Sequence, residues 1–130
     1  MNIALIPARG GSKRIPKKNI KLFAGKPMIF WPINAAIKSK VFDRIIVSTD
    51  DKEIAKIAID CGAEVPFFRP SNLSDDHTNT QSVVVHFINW LEQNSLKCKF
   101  ICCLYATAPF VIPSDLCEAQ NLINNRKDKN

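Results

Sequence analysis

Four short apolar runs, residues 2–8, 43–48, 64–68 and 99–104, alternate along this chain with stretches whose apolar residues recur at helical spacing. That alternation constrains the fold more than any other feature. Strands alternating with helices pair in parallel, because right-handed crossovers lay each helix back over the sheet. The expected architecture is a three-layer α/β/α sandwich with a mostly parallel sheet. Residues 51–62 carry the helical pattern, with Ile54, Ile57, Ala58 and Cys61 at i, i+3, i+4 and i+7 and Gly62 as the stop. Ile29, Ile33, Ala36 and Ile37 mark another helix after Pro27, and Val84, Phe87, Ile88 and Leu91 a further one. Ser114 is placed to cap a last helix carrying Leu116, Ala119 and Ile123. Pro66 weakens the third strand, since it cannot donate to a ladder.

Composition bounds the function. A length of 130 residues allows one domain at most. Its longest uncharged apolar run, residues 100–106, falls short of the roughly 18 residues of a membrane span. Pro7 and Arg9 interrupt the first apolar run, which argues against a secretory signal. The five cysteines form no Cys-x-x-Cys pair and fit reduced thiols, so a cytoplasmic protein is expected. His77 and His86 have no clustered partners that would make a metal site.

Charge is distributed unevenly. Residues 1–42 hold nine Lys or Arg and no acid, while the remainder holds the other nine bases and all 12 acids. The two parts therefore stand at +9 and −3, which sum to the net +6. Such an excess calls for an anionic partner. Ligands of parallel sheets bind beyond the carboxyl ends of the strands, which directs attention to loops 9–26, 69–80 and 105–113. In the first loop, Gly10 and Gly11 let backbone amides approach a phosphate, Ser12 adds a hydroxyl, and Arg9, Lys13 and Lys18 add charge. Neither the P-loop spacing nor Gly-x-Gly-x-x-Gly is present. From composition alone, a solvated basic loop and a phosphate-binding loop fit equally well.

The run Ile6-Pro7-Ala8-Arg9-Gly10-Gly11-Ser12-Lys13-Arg14-Ile15-Pro16-Lys17-Lys18-Asn19 resembles the signature of the sugar-acid cytidylyltransferases. The likeness continues through Gly25-Lys26-Pro27-Met28-Ile29, Val47-Ser48-Thr49-Asp50-Asp51 and Arg69-Pro70. The stretches Phe67-Phe68-Arg69-Pro70, Leu73-Ser74-Asp75-Asp76-His77-Thr78 and Cys102-Cys103-Leu104-Tyr105-Ala106-Thr107-Ala108-Pro109-Phe110 look like the pseudaminic acid branch. The sialic acid branch has Gln-Pro-Thr-Ser-Pro where this chain has Tyr105-Ala106-Thr107-Ala108-Pro109.

The resemblance implies a nucleotide-diphospho-sugar transferase-like fold. It also implies transfer of CMP from CTP to a nine-carbon 2-keto sugar acid, with Mg²⁺ on the triphosphate and pyrophosphate released. Pseudaminic acid is the favoured acceptor and sialic acid the alternative. Lys18 and Arg9 would be catalytic. Ala8, Arg9, Gly10, Gly11, Ser12, Lys13, Lys18, Asn19, Arg69 and Thr80 would bind the nucleotide, and Tyr105 and Thr107 the sugar. No metal ligand carries over, Asp50 being the nearest to one. Family members run to well over 200 residues, so residues 1–130 read as one incomplete domain of an enzyme that forms a homodimer. The rival from another class is a non-catalytic nucleotide- or nucleic-acid-binding module. The first loop offers only Phe23 for base stacking, so nucleic acid is not an expected partner, and the short apolar runs make a membrane none either.

Overall fold

The structure, a computed structural model, describes residues 1–10, 21–70, 73 and 80–105. Among these residues the elements run β1 (Asn2–Pro7), β2 (Leu22–Phe23), β3 (Lys26–Pro27), α1 (Phe30–Ser39), β4 (Arg44–Ser48), α2 (Lys52–Asp60), α3 (Thr80–Gln93) and β5 (Phe100–Cys103). β1 lies in the middle of a sheet ordered β4-β1-β5, with both pairings parallel.

Strand alternation turns one run of sequence into two cores. Ile3 and Leu5 of β1 join Ile46 of β4 in packing against Phe87 and Leu91 of α3. Ala4, Ile6 and Val47 face the other way, toward Ile33 and Ala36 of α1 and Ile54 and Ala58 of α2. Ile3, Ala4, Leu5 and Ile6 are all completely buried, as a strand covered on both faces requires. The expected three-layer α/β/α sandwich is borne out.

Details differ from the sequence expectation in four places. The third extended segment makes only two isolated parallel bridges to β4, Ile46 with Glu64 and Thr49 with Phe68. Pro66, between them, has no N–H to continue the ladder. Residues 21–27, expected as loop, include the β2–β3 hairpin, in which Leu22 pairs with Pro27 and Phe23 with Lys26. Its turn residues Ala24 and Gly25 have φ of 51° and 83°, the left-handed pair that matches the twist of a hairpin. Because Pro27 is taken up by β3, α1 begins at Phe30. On α1, Ile37 is 43% exposed, and the buried face is made of Pro32, Ile33, Ala35, Ala36 and Ser39. On α3, Val83, Phe87 and Leu91 are buried whereas Ile88 is 38% exposed. The helix expected after Ser114 lies outside the described residues.

Candidate active site at the carboxyl ends of the strands

β1 and β4 run in register to Pro7 and Ser48, and their ends define the site. The Ala8 amide donates to the Ser48 carbonyl at 2.8 Å, carrying the ladder one step past the strand. Two residues on, the Gly10 amide donates to Asp50 Oδ1, also at 2.8 Å. Gly10 lies so close to the start of α2 that an added Cβ would come within 2.7 Å of Asp51 Cβ and Oδ2. Glycine is therefore required here by close approach. Asp51 is itself fixed. Its Oδ1 accepts the Glu53 and Ile54 amides at 2.8 and 3.0 Å, a side-chain N-cap that satisfies two unpaired donors of the first turn.

Arg69 follows the last bridge of the third segment and is 5% exposed. Its amide donates to Thr49 O at 2.8 Å, while Nη2 donates to Ser48 O at 3.2 Å and Nη1 to Leu73 O at 3.1 Å. Burial lowers its pKa most; the Asp50 charge raises it and the Arg9 charge lowers it. Arg9 and Asp50 thus both lie within electrostatic reach of Arg69, at the carboxyl end of the sheet.

Of the residues singled out from the sequence, Ala8, Arg9, Gly10 and Arg69 converge on this end. Ala8 is buried, and Arg9 and Gly10 are half-buried. Tyr105 follows β5 and is 65% exposed, so it is not a core residue. Thr80 opens α3 and is half-buried. Gly11, Ser12, Lys13, Lys18, Asn19 and Thr107 lie outside the described residues.

Two features were not found from sequence. The contact of Gly10 with Asp50 and Asp51 joins positions about forty residues apart, and no local pattern announces it. His86 of α3 sits against the ring of Phe67, with centroids 5.3 Å apart, and borders a groove of about 400 Å³ lined by Leu73, Gln81, Ser82, Val85 and Asn89. Its Nδ1 is buried with no hydrogen-bond partner among the described residues. Burial and the nearby Arg69 charge hold its pKa below the usual histidine value. Partial burial raises the Cys61, Cys102 and Cys103 pKa values, which suits half-buried apolar thiols rather than nucleophiles.

The described residues contain no group of three or more His, Cys, Asp or Glu able to hold a metal ion. Asp50 accepts the Gly10 amide through Oδ1, and Asp51 accepts the Glu53 and Ile54 amides through its own Oδ1. No helix among them is long and apolar enough to cross a membrane.

A parallel sheet flanked by helices, with a glycine-rich basic run leaving its central strand at the carboxyl end, is the layout of an α/β nucleotide-binding protein. The comparisons define it further. Residues 3–130 match the cytidylyltransferase family, and the chain belongs to that family. It is 48% identical over 110 residues to pseudaminic acid cytidylyltransferase of Campylobacter jejuni serotype O:2, an alignment that covers 85% of this chain and 47% of that protein. It is 43% identical to N-acylneuraminate cytidylyltransferase A of Danio rerio, covering 95% of this chain and 27% of that one. Among solved structures, CMP:2-keto-3-deoxy-manno-octonic acid synthetase in complex with CTP superposes with a TM-score of 0.76 at 23% identity, over 98% of this chain and 47% of that one. That likeness establishes the fold. The chain spans about half the length of the pseudaminic acid cytidylyltransferases it matches, 47% and 54%.

Proposed function

We propose that this chain carries the nucleotide-binding half of an enzyme that transfers CMP from CTP to the anomeric hydroxyl of a nine-carbon 2-keto sugar acid. The observation that carries the reading is the run from Arg9 to Asn19. It leaves the central strand of a parallel sheet in a chain matched to the cytidylyltransferases over residues 3–130. In the reaction the sugar oxygen bonds to the α-phosphorus, the bond from that phosphorus to the bridging oxygen breaks, and pyrophosphate leaves. Negative charge grows on the phosphoryl oxygens, so catalysis consists of positioning and fixed positive charge.

Arg9 and Lys18 supply that charge in this reading. Ala8, Gly10, Gly11, Ser12, Lys13 and Asn19 shape the cradle for phosphates and ribose. The amide of Gly10 is already held by Asp50, so Gly10 contributes close backbone approach rather than a free donor. Arg69 and Thr80 belong to the base and ribose side, and Tyr105 and Thr107 to the sugar side. Mg²⁺ would accompany the triphosphate and neutralise it; the described residues supply no ligand set for it, and no step is routed through it. The reading includes a cytoplasmic homodimer, with residues 1–130 as one incomplete domain.

Pseudaminic acid is the favoured acceptor, supported by the 48% identity to a protein of that name. Sialic acid is the second reading, supported by the 43% identity to an N-acylneuraminate enzyme. The test is pyrophosphate release by the full-length protein from CTP, with ATP as control, across a panel of sugar acids. Rapid release is expected with CTP and pseudaminic acid. Replacement Lys18→Ala should lower turnover by about 100- to 1,000-fold while the protein stays folded. Equal use of ATP, or no release with any sugar acid, would overturn the reading.

A further inference from the structure

We propose that Asp50 is a positioning residue for the nucleotide loop: its carboxylate holds the Gly10 amide and so sets where the glycine-rich run leaves the sheet. The geometry stands on its own, while the kinetic consequence rests on the CTP reading above. The β1–β4 ladder ends with the Ala8 amide on the Ser48 carbonyl, and the next amide in that alternation is that of Gly10. In a continuing parallel pair a main-chain carbonyl two residues beyond Ser48 would receive it. Here the side chain of Asp50 receives it instead, at 2.8 Å. The carboxylate substitutes for a sheet carbonyl, so the chain can leave the sheet without losing its register.

A second contact acts on the same residue. Asp51, immobilised by capping two amides of α2, stands where a Cβ of residue 10 would be. Adjacent acids therefore fix Gly10 twice, once by a hydrogen bond and once by excluding a side chain. A carboxylate accepts a backbone amide more strongly than a neutral carbonyl does. Arg69 lies close enough to offset part of the charge.

The test compares Asp50→Ala, which removes the acceptor, with Asp50→Asn, which keeps an oxygen acceptor without the charge. Asp50 is exposed, so neither change opens a hole in the core. In the full-length protein, Asp50→Ala should raise KM for CTP by about tenfold or more with a smaller effect on kcat, and Asp50→Asn should stay within about threefold. In the ligand-free protein, hydrogen exchange followed by NMR should find the Gly10 amide protected in the wild type and in Asp50→Asn, and unprotected in Asp50→Ala. Unchanged KM and unchanged Gly10 protection in Asp50→Ala would overturn the proposal. So would an Asp50→Asn variant as impaired as Asp50→Ala, because the charge rather than the bond would then matter. Should the wild type turn over no CTP, the functional reading fails, and Gly10 exchange still decides whether Asp50 holds the loop.

Discussion

Arg69 holds a charge that is 5% exposed, and its two terminal nitrogens donate to the Ser48 and Leu73 carbonyls. Ser48 O receives the Ala8 amide as well, so a single carbonyl links the end of β1, the end of β4 and the segment beyond the third extended stretch. The guanidinium thereby clasps the floor of the site. A fork of donors is needed to reach both carbonyls, and a lysine ammonium does not reproduce that geometry. Hydrogen bonds to charged groups are worth about 1.5–3 kcal/mol each, and Arg69→Met gives up both. That variant should lose about 3 kcal/mol in urea unfolding, with Arg69→Lys falling between it and the wild type. A midpoint unchanged in Arg69→Met would dismiss the clasp.

Helix α3 raises a different question, that of how one face is chosen. Three consecutive valines, Val83 to Val85, let the apolar stripe be read on either of two adjacent faces. The fold buries Val83 with Phe87 and Leu91, and leaves Val85 49% and Ile88 38% exposed. Phe67 settles the choice by packing against Phe87 and Trp90, with centroids 6.1 and 5.2 Å away. His86 is drawn in beside the same ring. Its pKa is depressed by burial and by Arg69, so the folded state binds the proton less readily than the unfolded chain. Stability from this site is therefore full above about pH 6.5 and declines as pH falls from there toward the folded pKa. His86→Phe keeps an aromatic ring next to Phe67 and removes the proton. The melting temperature of the wild type should drop between about pH 6.5 and 5 by more than that of His86→Phe. Parallel curves would exclude the histidine as the cause.

The same distinction explains what could be read in advance. β1, β4 and β5 were legible as short apolar runs, and α2 by its helical period and its own cap in Asp51. The β2–β3 hairpin was not, since Ala24-Gly25 is a weak turn signal and each strand is two residues long. Arg9 and Gly10 could be assigned to the site from local composition. The partnership of Gly10 with Asp50 could not, because the sheet alone brings them together.

Across the whole molecule the charge asymmetry finds a place in the architecture. The first 42 residues carry +9, and Arg9 of that segment stands where the central strand ends. A basic surface for nucleic acid and a compact triphosphate site both draw on such a field, and they respond differently to salt. Nucleic-acid binding releases a counterion for nearly every phosphate neutralised, giving a steep decline in affinity. A small ligand held by a few close charges is protected from screening at contact distance, because the Debye length shrinks only from roughly 10 Å at 0.1 M to roughly 3 Å at 1 M. Titration of the full-length protein with CTP between about 50 and 500 mM salt should therefore lower affinity by about tenfold or less. Duplex DNA added at low salt should leave the CTP isotherm unchanged. Displacement of CTP by DNA, with a loss of about 1,000-fold over the same salt range, would assign the basic segment to nucleic acid instead.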